Sequence, residues 1–167
     1  ILYPIDLIEP GHHPTHVSRT ICESASGYPT VVVDIPGDQE PDAVIVCYGG
    51  MAAIGFEVQQ QLFIDDEFRV RLIVPSQITP LPMIDIIQSI RSCRRILIAE
   101  EGYETNGWGA ELSTQLYGRF LGDLKHPIRR IATHDHPIPT AKPLEEGALP
   151  SKDGIIQEVI ELIEGDL

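Results

Sequence analysis

Glutamates, glycines and a tryptophan crowd one short stretch of the sequence: Glu100-Glu101-Gly102-Tyr103-Glu104-Thr105-Asn106-Gly107-Trp108-Gly109-Ala110-Glu111-Leu112. Two glycines around a tryptophan, opening a helix, would present free backbone N–H groups to an anion. The glutamates just upstream oppose that, because they repel phosphate or carboxylate. A tight helix entry with Trp108 as a packing or interface anchor is the reading preferred here. Glu100 and Glu101 are both candidate acid–base groups, but neighbouring strand residues point to opposite faces, so a joint role is not expected.

Two other stretches carry reactive residue types. Cys47-Tyr48-Gly49-Gly50-Met51-Ala52-Ala53-Ile54-Gly55 is a strand–turn–helix passage. It lacks both the G-x-G-x-x-G spacing of a dinucleotide site and the G-K-[ST] ending of a phosphate loop. Its glycines suit a tight turn and close helix–sheet packing, and Cys47 has no neighbouring His or Lys in sequence to activate it. The stretch from Thr133 reads Thr-His-Asp-His-Pro-Ile-Pro-Thr-Ala-Lys-Pro-Leu-Glu-Glu, and its proline spacing predicts an extended loop over residues 133–146. His134 and His136, and separately His12, His13 and His16, are possible metal ligands. Neither set has a cysteine partner or H-E-x-x-H spacing, so solvated or hydrogen-bonding histidines are expected. No G-x-S-x-G elbow is present.

These stretches hang on a regular alternation of elements. Residues 1–41 are rich in proline and read as an extended arm or linker lying on the domain after it, with one strand at 30–35. From Asp42 a domain spanning 42–167 is expected. Strands are predicted at 43–48, 68–74, 95–99 and 127–132. Helices follow Met51/Ile54/Val58/Leu62, Ile84/Ile87/Ile90 and Leu112/Leu116/Phe120, and a last helix is capped by Ser151. The alternation predicts an α/β fold, with a mostly parallel sheet between helices on both faces. Ligand sites in such sheets lie beyond the carboxyl ends of the strands, where all three stretches fall.

Composition removes whole classes of function. The chain has 167 residues, with 25 Asp and Glu against 12 Lys and Arg, a formal charge of −13. Nucleic acid and anionic membrane are therefore not expected partners. Its longest charge-free stretch, residues 43–56, is too short to span a bilayer and is split by glycines. No signal peptide is visible, and the three cysteines (Cys22, Cys47, Cys93) read as reduced thiols in a cytoplasmic protein. The start Ile1-Leu2-Tyr3, without Met, is expected to belong to a longer chain.

Taken together, the motifs over residues 42–167 resemble the transketolase C-terminal domain family. Val44-Ile45-Val46-Cys47-Tyr48-Gly49-Gly50-Met51-Ala52 resembles its first strand and turn, and Ile73-Val74-Pro75-Ser76-Gln77-Ile78-Thr79-Pro80-Leu81 its second. Within the family the chain is most similar to the β subunit of thiamine-diphosphate-dependent 2-oxo acid dehydrogenases, of the pyruvate or branched-chain type. There a "G-x-G-A-E-[IL]" turn matches Gly107-Trp108-Gly109-Ala110-Glu111-Leu112, and a "D-x-P-x-P-x-A" loop matches Asp135-His136-Pro137-Ile138-Pro139-Thr140-Ala141. "L-P-S" before the last helix stands at Leu149-Pro150-Ser151. Residues 1–28 match nothing in the family pattern.

The resemblance implies a three-layer α/β/α domain with a five-stranded, mostly parallel sheet. It implies a parent enzyme that decarboxylates a 2-oxo acid oxidatively and passes the acyl group to lipoyl, using thiamine diphosphate and Mg²⁺ bound outside this domain. Here the domain itself would hold no cofactor and no catalytic residue. Its expected work is assembly: pairing with a second β subunit, contact with the α subunit or the N-terminal domain, and docking of the subunit-binding domain of the dihydrolipoyl acyltransferase. Gly107, Trp108, Gly109, Asp135, Pro137 and Pro139 are the interface or loop-shaping candidates. A transketolase or deoxyxylulose-phosphate synthase C-terminal domain is the alternative within the fold. A small-anion-binding regulatory module using the Gly107–Gly109 helix start is the alternative outside it.

Overall fold

A computed structural model describes residues 17–22, 27–91, 93–124 and 126–165. Its strands are β1 (Ser18–Cys22), β2 (Thr30–Asp34), β3 (Ala43–Cys47), β4 (Val70–Pro75), β5 (Ile96–Tyr103) and β6 (Arg129–Thr133). Its helices are α1 (Met51–Asp66), α2 (Met83–Ile90), α3 (Trp108–Phe120), α4 (Lys142–Ala148) and α5 (Lys152–Glu164). The strands form one sheet in the order β1-β2-β4-β3-β5-β6. β4, β3, β5 and β6 run parallel, and β1 and β2 add an antiparallel hairpin at one edge.

The central strand shows why the sheet has helices on both sides. All five residues of β3 are buried. Ala43, Ile45 and Cys47 pack with α1 and α5, while Val44 and Val46 pack with α2 and α3. An unbroken apolar run therefore serves two cores through the two-residue alternation of a strand. The expected α/β/α layering follows. α5 begins as predicted, with the Ser151 hydroxyl accepting the Gly154 N–H at 3.1 Å.

Three expectations need correction or refinement. The sheet has six strands, not five: β1, exposed and without apolar alternation, gives no strand signal of its own and forms by pairing with β2. Among the described residues of the predicted arm, Ser18–Cys22 and Thr30–Asp34 are strands of the sheet, where one strand was expected. The third is the loop predicted over 133–146, which stops short of its end because α4 starts at Lys142. Proline at the first turn of a helix removes a donor that would have no partner there anyway, so Pro143 did not exclude a helix. His12, His13 and His16 lie outside the described residues.

At the β2 edge the strands part. β2 and β4 are paired from Thr30↔Pro75 to Val33↔Leu72 and no further. The buried amide of Gln59 donates to the carbonyls of Val33 (2.9 Å) and Val70 (2.7 Å), closing the seam where pairing stops.

Candidate functional site

The three chemistry-bearing stretches meet at the carboxyl ends of β3, β5 and β6. Glu100, at the end of an apolar strand segment, is 1% exposed. Its Oε1 accepts the N–H of Gly109 at 2.9 Å, in the first turn of α3, and Nη2 of Arg130 at 3.0 Å. Its Oε2 is buried without a partner among the described residues. Arg130 reaches over from β6 and also donates to the carbonyl of Glu104 at 2.8 Å. A helix N-terminus carries partial positive charge and free donors, and here the chain's own carboxylate occupies it.

Glu101 points to the other face of the sheet. Its carboxylate lies against Gly50, the N-cap of α1, so closely that a Cβ there would collide with it. Consecutive glutamates thus sit at the N-termini of two different helices, one on each side of the sheet. They do not form one acid–base pair. Tyr48 lies between them in charge terms: its hydroxyl pKa is raised by burial first, then by Glu100 and Glu101.

The glycines of the Gly107-Trp108-Gly109 turn follow from this packing. A Cβ on Gly109 would stand 2.6 Å from Glu100 Oε1, 2.9 Å from Ile98 Cγ2 and 3.1 Å from Arg130 Nε. One on Gly107 would strike the Tyr103 carbonyl and approach Glu100 Oε1 to 2.8 Å. Gly109 needs glycine because the buried carboxylate and Ile98 lie against it, and Gly107 first because of the Tyr103 backbone carbonyl. Trp108 is half-buried, donates its indole N–H to the Ile78 carbonyl at 3.1 Å, and sets its ring edge to face with Tyr48 at 4.9 Å. It ties the β3, β4 and β5 loops together.

Asp135 shapes the neighbouring loop. Its Oδ1 accepts the Thr105 N–H at 3.0 Å, and its Oδ2 accepts the Thr105 hydroxyl. These two bonds hold its carboxyl below the usual aspartate value, with His134 and His136 adding a smaller effect. The Glu104 N–H donates to the Thr133 carbonyl at 2.9 Å and the Thr133 hydroxyl to the Glu101 carbonyl at 2.9 Å, so this loop is stitched to the end of β6. Pro137 is exposed and Pro139 half-buried, beyond that seam.

The other candidates are not brought into a reactive arrangement. Cys47 is fully buried and burial pushes its thiol up to about 12, which removes it as a thiolate nucleophile. His134 and His136 are exposed and stacked at 6.1 Å. Among the described residues no group of three or more His, Cys, Asp or Glu is arranged to hold a metal ion. The same residues contain no helix long and apolar enough to cross a membrane. Sequence reasoning weighed Glu100 only as an acid–base group and missed its role as a helix cap. The available signal was the first of two acids closing an apolar strand segment just before a glycine-flanked turn.

Comparison with known proteins fits this geometry. The model of the transketolase C-terminal domain matches residues 33–155, well over half the chain. The chain belongs to the transketolase C-terminal domain family. Its relatives include the pyruvate dehydrogenase E1 component subunit beta of Rickettsia felis, 31% identical over 75% of this chain and 42% of that protein. The mitochondrial subunit beta-2 of Oryza sativa is 28% identical over 84% of this chain and 37% of its own length. The chain therefore spans about two fifths of the relatives it matches. Among solved structures, a split-gene transketolase, described as an inactive beta4 tetramer, superposes with a TM-score of 0.58 at 18% identity, covering 75% of this chain and 40% of that one. The 2-oxoglutarate:ferredoxin oxidoreductase of Magnetococcus marinus gives 0.51 at 17%, over 80% of this chain and 20% of that one. At those identities the likeness concerns the fold.

Proposed function

We propose that this chain serves assembly and docking in the β subunit of a thiamine-diphosphate-dependent 2-oxo acid dehydrogenase, and performs no catalytic step itself. The observation that carries this reading is a carboxylate at each helix N-terminus: Glu100 accepts an N–H of α3, and Glu101 lies against Gly50 at the start of α1. A diphosphate needs free N–H donors and positive charge at such a position, so the residues present do not fit the diphosphate of the cofactor. The same carboxylates count against the small-anion regulatory module at Gly107–Gly109. Pyruvate dehydrogenase E1 β subunits as relatives favour the dehydrogenase over transketolase or deoxyxylulose-phosphate synthase.

Trp108, Tyr48 and the Asp135 loop would then form a stiff surface at the carboxyl ends of the strands, suited to a second β subunit and to the rest of the parent enzyme. The excess of acid suits the basic subunit-binding domain of a dihydrolipoyl acyltransferase. Calorimetry decides the catalytic question: thiamine diphosphate with Mg²⁺ titrated into this chain gives no heat, whereas a basic subunit-binding domain gives a saturable exotherm or endotherm. Saturable micromolar cofactor binding would sink the assembly-only reading. Absence of any response to the binding domain would remove the docking role.

A further inference from the structure

At the opposite end of the sheet from Glu100, the parting of β2 and β4 opens a polar cleft of about 370 Å³. β1 forms one wall with Ser18 and Thr20, the loop after β2 forms another, and Arg69, Arg71 and Arg91 all line it. Three of the chain's 12 Lys and Arg residues converge there, in a molecule with 25 acidic side chains. We propose that this cleft binds a small oxyanion, the phosphate or carboxylate group of a small polar molecule, through Arg71 and Arg91.

Arg71 is a preset receptor. Its side chain is 4% exposed, with Nε on Asp34 Oδ1 at 2.6 Å and Nη1 on the Ser89 carbonyl at 2.9 Å. Those two bonds fix the guanidinium plane, and Nη2 takes part in neither. Asp34 neutralises part of its charge, and Asp38 and Glu40 stand in the cleft lining, so affinity is modest and falls with salt. Arg69 is held in place by the Ile35 (2.6 Å) and Pro36 (2.8 Å) carbonyls.

Arg91 supplies the second, independent sign. It follows α2 in a turn closed by the Cys93 N–H on the Ile90 carbonyl at 3.3 Å, with φ 54° and ψ −125°. Those angles fall in the positive-φ region that glycine normally takes and that an arginine occupies only under strain. Its side chain is exposed and lines the cleft beside Arg71, and no ion pair within the fold is seen to hold an arginine there among the described residues. An oxyanion shared with Arg71 does account for it, since guanidinium groups recognise such groups with paired N–H donors. The cleft also depends on β1, which lies outside the stretch that the family model matches.

The test follows arginine Nε–Hε resonances of the isotope-labelled 167-residue chain during titration at constant ionic strength, with inorganic phosphate in one arm and citrate in the other. Saturable shifts of Arg71 and Arg91 in either arm support the proposal, and the responding arm identifies the phosphate or the carboxylate source. The Arg91→Gly variant suits the turn, so it melts at or above the wild-type temperature while binding at least about tenfold more weakly. Shifts that never saturate, shifts confined to Arg129 and Arg130, or wild-type affinity in Arg91→Gly overturn it.

Discussion

At the scale of single residues, one buried carboxylate dictates its surroundings. Glu100 occupies the α3 N-terminus, and Gly109 is glycine because that carboxylate, Ile98 and Arg130 fill the space where a Cβ would go. Gly118, nine residues on in the same helix, has nothing within 4 Å of the same construction. The two glycines therefore respond oppositely to alanine. Gly109→Ala forces Glu100 off its cap and destabilises by about 1–3 kcal/mol, as overpacking does. Gly118→Ala gains up to about 1 kcal/mol, because a helix interior favours alanine over glycine. Urea denaturation of both variants measures the difference, and equal effects would remove the packing account of the Gly107-Trp108-Gly109 turn. The sequence made the glycines legible as a tight helix entry, but not their cause. Which acid reaches the helix depends on the strand register and on Arg130, 30 residues away in the chain, and no local pattern carries that.

At the scale of elements, local pattern and distant pairing divide the fold between them. β3, α1 and α3 were readable because each buries its own apolar period. β1 was not, because its stability resides in hydrogen bonds to β2 rather than in its own side chains. The β5–α3 loop is a third case, an irregular segment fixed by one acid from another loop. Asp135 accepts both the N–H and the hydroxyl of Thr105, and its folded pKa lies below that of a free aspartate. A lowered folded pKa means that the carboxylate stabilises the loop above the unfolded value, near pH 4, and that this is lost as pH falls through the folded value. The Thr105 amide resonance is thus constant from neutral pH down to about pH 4 and moves only at lower pH. Asp135→Asn removes that titration and raises Thr105 hydrogen exchange at every pH. A midpoint above the free-aspartate value would contradict the hydrogen-bonded seam.

For the whole molecule the sign of the charge matters less than where the bases are spent. Arg71 is engaged by Asp34, Arg129 by Glu158 and Glu161, Arg130 by Glu100, and Lys152 by Glu57. Two of these, Arg129 and Arg130, are the first residues of β6. With them tied to the chain's own glutamates, the surplus of acid is presented outward along with the net −13. Long-range attraction of that kind acts on encounter, and salt screens it over about 10 Å at 0.1 M. If a basic subunit-binding domain is the partner, its association rate with this chain falls about tenfold or more between roughly 0.05 and 0.5 M salt, while dissociation changes far less. Stopped-flow mixing across that range separates the two rates. A salt-independent association rate would assign docking to apolar contacts such as those around Trp108, and would leave the acidic surface without a part in choosing the partner.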